Sequence, residues 1–203
     1  MVKAFARCLA AAALVAFIAG SASASQFIYQ ALMDGPSESP PNASPGTGFA
    51  QLIYDDVAHT MTVSASFQGL TGTTSAAHIH GRVADPPATT AGVATQLPSF
   101  TTFPLGVTSG AMPATVYDMT LASSWNPSFV TANGGTTAGA ELAFIAMLND
   151  ATHPNFPSRG YFNIHTSTFP GGEIRGFLTL IPEPSTLMLL VVGAIGALVF
   201  RRR

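Results

Sequence analysis

From Thr60 to Gln68 apolar and polar residues strictly alternate, with Met61, Val63, Ala65 and Phe67 on one side and Thr62, Ser64 and Ser66 on the other. Side chains of an extended chain point to opposite faces with a period of two, so this stretch suits a sheet with one buried face and suits no helix. The same pattern predicts strands at residues 26–33 and 48–54, and residues 35–46 between them form a loop punctuated by Pro36, Pro40, Pro41 and Pro45. Asp55-Asp56 and Ala58-His59 supply the turn into Thr60. Further strands are predicted at 76–81, 115–121, 160–166 and 173–180, while the Pro-, Thr- and Gly-rich stretch 85–111 reads as loops with at most a weak edge strand. Residues 123–149 depart from this pattern. Asn126-Pro127 suits a helix start, and Leu142, Ile145, Ala146 and Leu148 are spaced like a helix face. The expected fold is therefore mainly β: an antiparallel sandwich or Greek-key barrel, crossed by one or two short helices joined through Asn133-Gly134-Gly135.

Both ends of the chain differ from this body. Lys3 and Arg7 precede an apolar run, and Ala22-Ser23-Ala24 forms a small-residue cleavage site, so residues 1–24 read as a secretory signal peptide for Sec-type export, cut between Ala24 and Ser25. Cys8 is the only cysteine and is removed with that peptide, which excludes a disulfide framework from the mature chain. At the other end, residues 187–200 form an apolar run of 14 residues, preceded by Pro182-Glu183-Pro184 and followed by Arg201, Arg202 and Arg203. A span of roughly 20 residues crosses a bilayer comfortably. The run is short for that, but terminal arginines can snorkel and, by the positive-inside rule, remain cytoplasmic. Proline-glutamate-proline, a short apolar helix and terminal arginines, in that order, resemble the PEP-CTERM sorting tail. That resemblance implies a substrate of exosortase, a membrane enzyme that processes the tail and releases or transfers the protein to the cell surface. The predicted organisation is a signal peptide at 1–24, one domain at 25–181, and a sorting tail at 182–203 with a transmembrane segment at 187–200.

Charge narrows the partners. The span 25–181 carries nine acidic residues against Arg82, Arg159 and Arg175 and no lysine, a formal charge of about −6. Nucleic-acid binding requires a cationic surface to neutralise phosphates, and this domain has no such footprint. Binding of anionic lipid by the domain is excluded on the same ground.

Two segments hold the residues capable of chemistry. In Ala77-His78-Ile79-His80-Gly81 the strand period puts both histidines on one face. In Gly160-Tyr161-Phe162-Asn163-Ile164-His165-Thr166, the residues Tyr161, Asn163 and His165 share the face opposite Phe162 and Ile164. A Pro170-Gly171-Gly172 turn leads on to Glu173-Ile174-Arg175-Gly176, where Glu173 and Arg175 share a face. These two runs, the opening Gly35, Glu38, Pro40-Pro41, the segment from Gly46 to Asp56 and the Thr60 strand together resemble the CHRD domain, over most of residues 27–180. That family is named for a module repeated in chordin and is widespread in secreted bacterial proteins. The resemblance implies an immunoglobulin-like or copper-zinc superoxide dismutase-like β-sandwich whose biochemical role is poorly defined. Residues 149–159, with His153-Pro154 and Pro157, form an irregular approach to the Asn163-His165 strand.

Two readings of the histidines stand side by side. Neutral imidazole is a favoured ligand of zinc and copper, and His78, His80 and His165 offer three ligands around an open position, with Asn163 or Glu173 orienting a ring from behind. Alternatively the histidines, Asn163, Glu173 and Arg175 form a structural hydrogen-bonded network, with Arg175 paired to a carboxylate across the sheet. No serine occupies a nucleophile elbow, and the glycine pairs read as turns and not phosphate cradles. Trp125 with Phe129 suits either a sugar-stacking platform or a buried anchor, and His59 and His153 read as solvated loop residues. The sequence thus predicts an exported, non-enzymatic surface or matrix module that supports exopolysaccharide or biofilm architecture through glycan or protein contacts. The alternative is a metal-dependent binding protein or enzyme that uses the three-histidine face.

Overall fold

A computed structural model describes residues 26–152, 156, 158–182 and 193. The predicted signal peptide, its cleavage site at Ala24 and Ser25, Glu183, Pro184, the segment 187–200 except Gly193, His153, Pro154 and Pro157 lie outside the described residues. Among the described residues no helix is long and apolar enough to cross a membrane.

Among the described residues eight strands form one antiparallel sheet: β1 (Gln26–Asp34), β2 (Thr47–Asp55), β3 (Thr60–Gln68), β4 (Thr74–His80), β5 (Gly110–Asp118), β6 (Tyr161–Thr166), β7 (Ile174–Phe177) and β8 (Thr179–Ile181). Their spatial order is β4-β6-β7-β1-β2-β3-β5, with β8 paired to β1 beside this path. The alternation read in β3 becomes burial: Met61, Val63, Ala65 and Phe67 are inside. Ladder register carries the same layer across the sheet, since Leu52 lies opposite both Val63 and Tyr29, and Ala50 opposite both Ala65 and Ala31. The sheet curls into a half-barrel. Phe100, in the β4–β5 connection, touches Tyr117 of β5 with ring centroids 5.3 Å apart and Phe162 of β6 at 5.7 Å, so the two ends of the strand order face each other across a common core.

Two predicted strands differ in extent. The strand expected at 115–121 is β5, starting at Gly110, and it contains Pro113. Proline donates no ladder hydrogen bond and is tolerated because β5 ends the strand order. Opposite Val63 and Ala65 the register shifts, so Pro113-Ala114 bulges and the inward residues Met112 and Tyr117 lose their period of two. The strand expected at 173–180 divides at Leu178, whose N–H donates to the Gly160 carbonyl, into β7 against β6 and β8 against β1.

Segment 123–149 forms two helices as expected, α1 (Pro127–Ala132) and α2 (Thr137–Leu148), after a single 3-10 turn at Ala122–Ser124. The Asn126 side chain caps α1 by accepting from the Ser128 N–H, with Pro127 in the first turn, and Thr136 caps α2 by accepting from Gly139. α2 buries Ala140, Phe144, Met147 and Leu148 against the sheet.

Residues 81–109 run along the free edge of β4. Ala94 and Phe100 donate backbone N–H groups to the Ile79 and Ala77 carbonyls, while the Thr95 and Ser99 hydroxyls accept from Ile79 and Ala77. An exposed strand edge is thereby satisfied. The covering segment also closes over the face of β4 opposite the core, where both histidines project.

Candidate functional site

The ladder between β4 and β6 sets His78 opposite Asn163, His80 opposite Tyr161 and Ala76 opposite His165. Cross-strand partners share a face, so the three histidines are brought together on the face away from the core. Their ring centroids are 5.7 Å apart for His78 and His80, and 5.3 Å for each pair with His165. One nitrogen from each ring lies within 4.8 Å of those of the other two. His78 and His80 are each 6% exposed, whereas His165 at the rim is partly exposed.

Each ring is fixed by a backbone carbonyl. His78 Nε2 is 2.7 Å from the Pro98 oxygen, His80 Nδ1 2.9 Å from that of Ala91, and His165 Nδ1 2.9 Å from that of Pro170. A carbonyl only accepts, so these three nitrogens carry the hydrogens, and a neutral imidazole has one N–H. His78 Nδ1, His80 Nε2 and His165 Nε2 are then bare acceptors. His80 Nε2 and His165 Nε2 stand 3.2 Å apart, and His78 Nδ1 is buried without a hydrogen-bond partner among the described residues. The rings are neutral at neutral pH: burial lowers His78 to about 4 and His80 to about 3, and it also lowers His165. The arrangement gathers three neutral imidazoles, two of them with lone pairs facing each other.

Glu173, expected to orient a ring, acts elsewhere. Glu173 is fully buried and accepts from Ser44 Oγ, Thr166 Oγ1 and the N–H groups of Thr71 and Gly72. Burial pushes its carboxyl up, but these four donors outweigh it and hold the group below the usual glutamate range. It ties three loops together and reaches no ring; the orienting contacts come from main-chain carbonyls. Asn163 lies beside His78 in the ladder, its Oδ1 buried and without a hydrogen-bond partner among the described residues. Arg175, also fully buried, donates to the carbonyls of Ser37, Pro87 and Thr89, and its Nε is 3.9 Å from Glu38 Oε2.

Tyr161 joins Arg175 to the histidines. Its ring stacks on His80 at 5.0 Å and 12°, the guanidinium lies 4.8 Å from the ring centroid on its face, and its hydroxyl accepts from the Ala91 N–H at 3.2 Å. Sequence reasoning placed Tyr161 on the correct face but gave it no role. The carbonyls of Ala91, Pro98 and Pro170 leave no trace in side-chain identity and were beyond its reach.

Of the two readings of Trp125 the buried anchor holds: it is 2% exposed, stacks on Phe129 and donates its indole N–H to the Met119 carbonyl. His59 is exposed in the β2–β3 turn, as read from the sequence, and it also has a partner: its Nδ1 lies 2.9 Å from Glu141 Oε1, and the Tyr54 hydroxyl donates to the same carboxylate, docking α2 on the sheet.

The family model described as the CHRD domain matches residues 29–178, from buried Tyr29 to buried Leu178, and so includes all three histidines. The model of the PEP-CTERM protein-sorting motif matches residues 180–203 and begins inside β8. No curated protein and no solved structure matches the chain.

Proposed function

Because the chain belongs to the CHRD domain family and ends in a PEP-CTERM protein-sorting motif, we propose that this exported, envelope-associated exosortase substrate displays its domain at the cell surface or in the extracellular matrix. In this reading the domain is a non-enzymatic module that supports exopolysaccharide or biofilm architecture through glycan or protein contacts. Residues 1–24 direct Sec-type export and are cut between Ala24 and Ser25, residues 25–181 fold as one domain, and the segment 187–200 holds the tail in the membrane until processing. The half-barrel is read as an opened Greek-key sandwich of the immunoglobulin-like or superoxide dismutase-like kind.

One observation carries the reading. The sorting motif starts within β8, whose Thr179, Leu180 and Ile181 pair with Gln30, Tyr29 and Ile28 of β1. The folded domain therefore passes into Pro182-Glu183-Pro184 without a linker. The alternative, a metal-dependent binding protein or enzyme, draws on the converging histidines. The surrounding groups favour binding over catalysis, because the carboxylate of Glu173 and the guanidinium of Arg175 are buried and engaged in holding loops.

The test is fractionation of a host that carries exosortase, beside the same host lacking it. Surface or matrix recovery of a chain shortened at its C-terminus, only where exosortase is present, and loss of matrix-retained polysaccharide when the protein is deleted, are expected. A full-length chain left in the membrane fraction of both hosts overturns the reading.

A further inference from the structure

We propose that His78 Nδ1, His80 Nε2 and His165 Nε2 form a preorganised site for one late first-row transition-metal ion of the zinc or copper class. The inference concerns the folded domain alone and holds whether or not the tail is sorted as proposed. Its first support is the hydrogen-bond inventory. All three N–H groups are committed to backbone carbonyls, so the rings cannot satisfy one another: the 3.2 Å contact between His80 Nε2 and His165 Nε2 opposes two lone pairs, and His78 Nδ1 is buried with no donor. An unsatisfied buried acceptor costs free energy, and two lone pairs opposed at 3.2 Å add to that cost. A proton placed between His80 and His165 relieves one contact, charges a buried ring pair, and leaves His78 Nδ1 bare. A cation bound by all three relieves every one.

Distance is the second support. Two nitrogens about 2.0–2.1 Å from a tetrahedral ion lie roughly 3.3–3.4 Å apart. The His80–His165 separation of 3.2 Å is already that bite, and one ring nitrogen of His78 lies within 4.8 Å of a nitrogen of each of the other two, so rotation of its ring closes the triangle.

Donor chemistry selects the class of ion. Three neutral imidazoles with no carboxylate or carbonyl oxygen among them suit zinc and copper and are a poor set for calcium or magnesium. The carbonyls of Ala91, Pro98 and Pro170 play the part that outer-shell acceptors play around metal-bound histidines, fixing tautomer and ring plane. Tyr161 stiffens this frame by stacking on His80 while accepting from the Ala91 N–H. Three protein ligands leave a tetrahedral ion one position for water or an exogenous ligand.

The experiment uses the full chain, purified in detergent and stripped with a chelator. Zinc(II) and copper(II) are titrated calorimetrically, with melting followed in parallel, and the His80→Gln/His165→Gln double variant is compared with His59→Gln. Expected are one equivalent bound and a melting temperature that rises with metal concentration. In the double variant affinity should fall by more than the roughly 10- to 100-fold that loss of an outer-shell partner costs. The His59→Gln variant should bind as the parent does. Long-range proton–nitrogen NMR of the metal-free parent, which does not depend on any variant folding, should show His78 protonated on Nε2 and His80 and His165 on Nδ1. A parent that binds neither ion, binding that survives in the double variant, or the opposite tautomers would overturn the site.

Discussion

Glu38 and Arg175 are both buried, with Nε and Oε2 3.9 Å apart, and Arg175 does not depend on an ionised Glu38 for its partners. Its charge is shared among the carbonyls of Ser37, Pro87 and Thr89 and the faces of Tyr161 and Phe177. Burial accordingly pushes Glu38 up to about 7, against the opposing pull of Arg175. The sign of the linkage follows. A carboxyl whose folded pKa is raised contributes stability that is fully present below its unfolded value and is lost as pH rises through the folded one. Between about pH 4.5 and pH 7 the folded chain holds a proton that the unfolded chain releases, and stability falls by about 3 kcal/mol from this group. Glu38→Gln, which mimics the protonated acid, should flatten that decline in urea titrations at stepped pH. An unchanged slope in the variant would assign the proton to another group. At this scale the sequence was informative about which faces the histidines and Arg175 share, because a period of two fixes facing. It was silent on partners, since Glu173 and Arg175 are separated by a single residue yet serve different loops, Glu173 reaching Thr71 and Gly72 and Arg175 reaching Pro87 and Thr89.

Strands with one buried face were legible from their alternation, and β3 has the predicted bounds because each second residue meets the core. β5 was not, because the bulge at Pro113-Ala114 separates its two buried residues, Met112 and Tyr117, by five positions. The connections that complete the site were illegible for a different reason. The loop from β4 to β5 and the turn from β6 to β7 contribute carbonyl oxygens, which every residue type possesses. The β6–β7 turn nevertheless contains one position where side-chain identity is decisive. Gly172 has φ of +135°, a conformation that residues with a Cβ rarely adopt, and a Cβ there would stand 2.5 Å from Asn163 Nδ2 and 2.6 Å from Glu38 Oε1. Gly172→Ala must therefore strain the turn and displace Asn163 beside His78. A loss of about 1–3 kcal/mol in stability is expected from denaturant titration, the range typical of backbone strain. A fully stable Gly172→Ala variant would mean that the turn has room this geometry denies it.

The half-barrel depends on contacts between elements far apart in the chain, and no local pattern announced which ends of the sheet would meet. Seven strand-like segments pointed to an antiparallel β fold, and among the described residues every strand belongs to one continuous ladder. Its curvature brings β5 and β6 together through Phe100, a residue in the Pro-, Thr- and Gly-rich stretch that reads as irregular. Phe100 is 2% exposed and fills the space between Tyr117 and Phe162, while its own N–H donates to Ala77 on β4. One side chain thus joins the two limbs to the loop that shelters the histidine face. Truncating a buried phenylalanine costs about 3–5 kcal/mol, a large share of the roughly 5–15 kcal/mol by which a domain is stable. Phe100→Ala should lower the urea midpoint strongly at an unchanged denaturant slope, as expected when the limbs unfold together. Amide exchange should then quicken in β4 and β6 as much as in β3 and β5. If exchange quickens in only one limb, or the transition splits in two, the limbs are separate folding units, and the loop over the histidines is held by β4 alone.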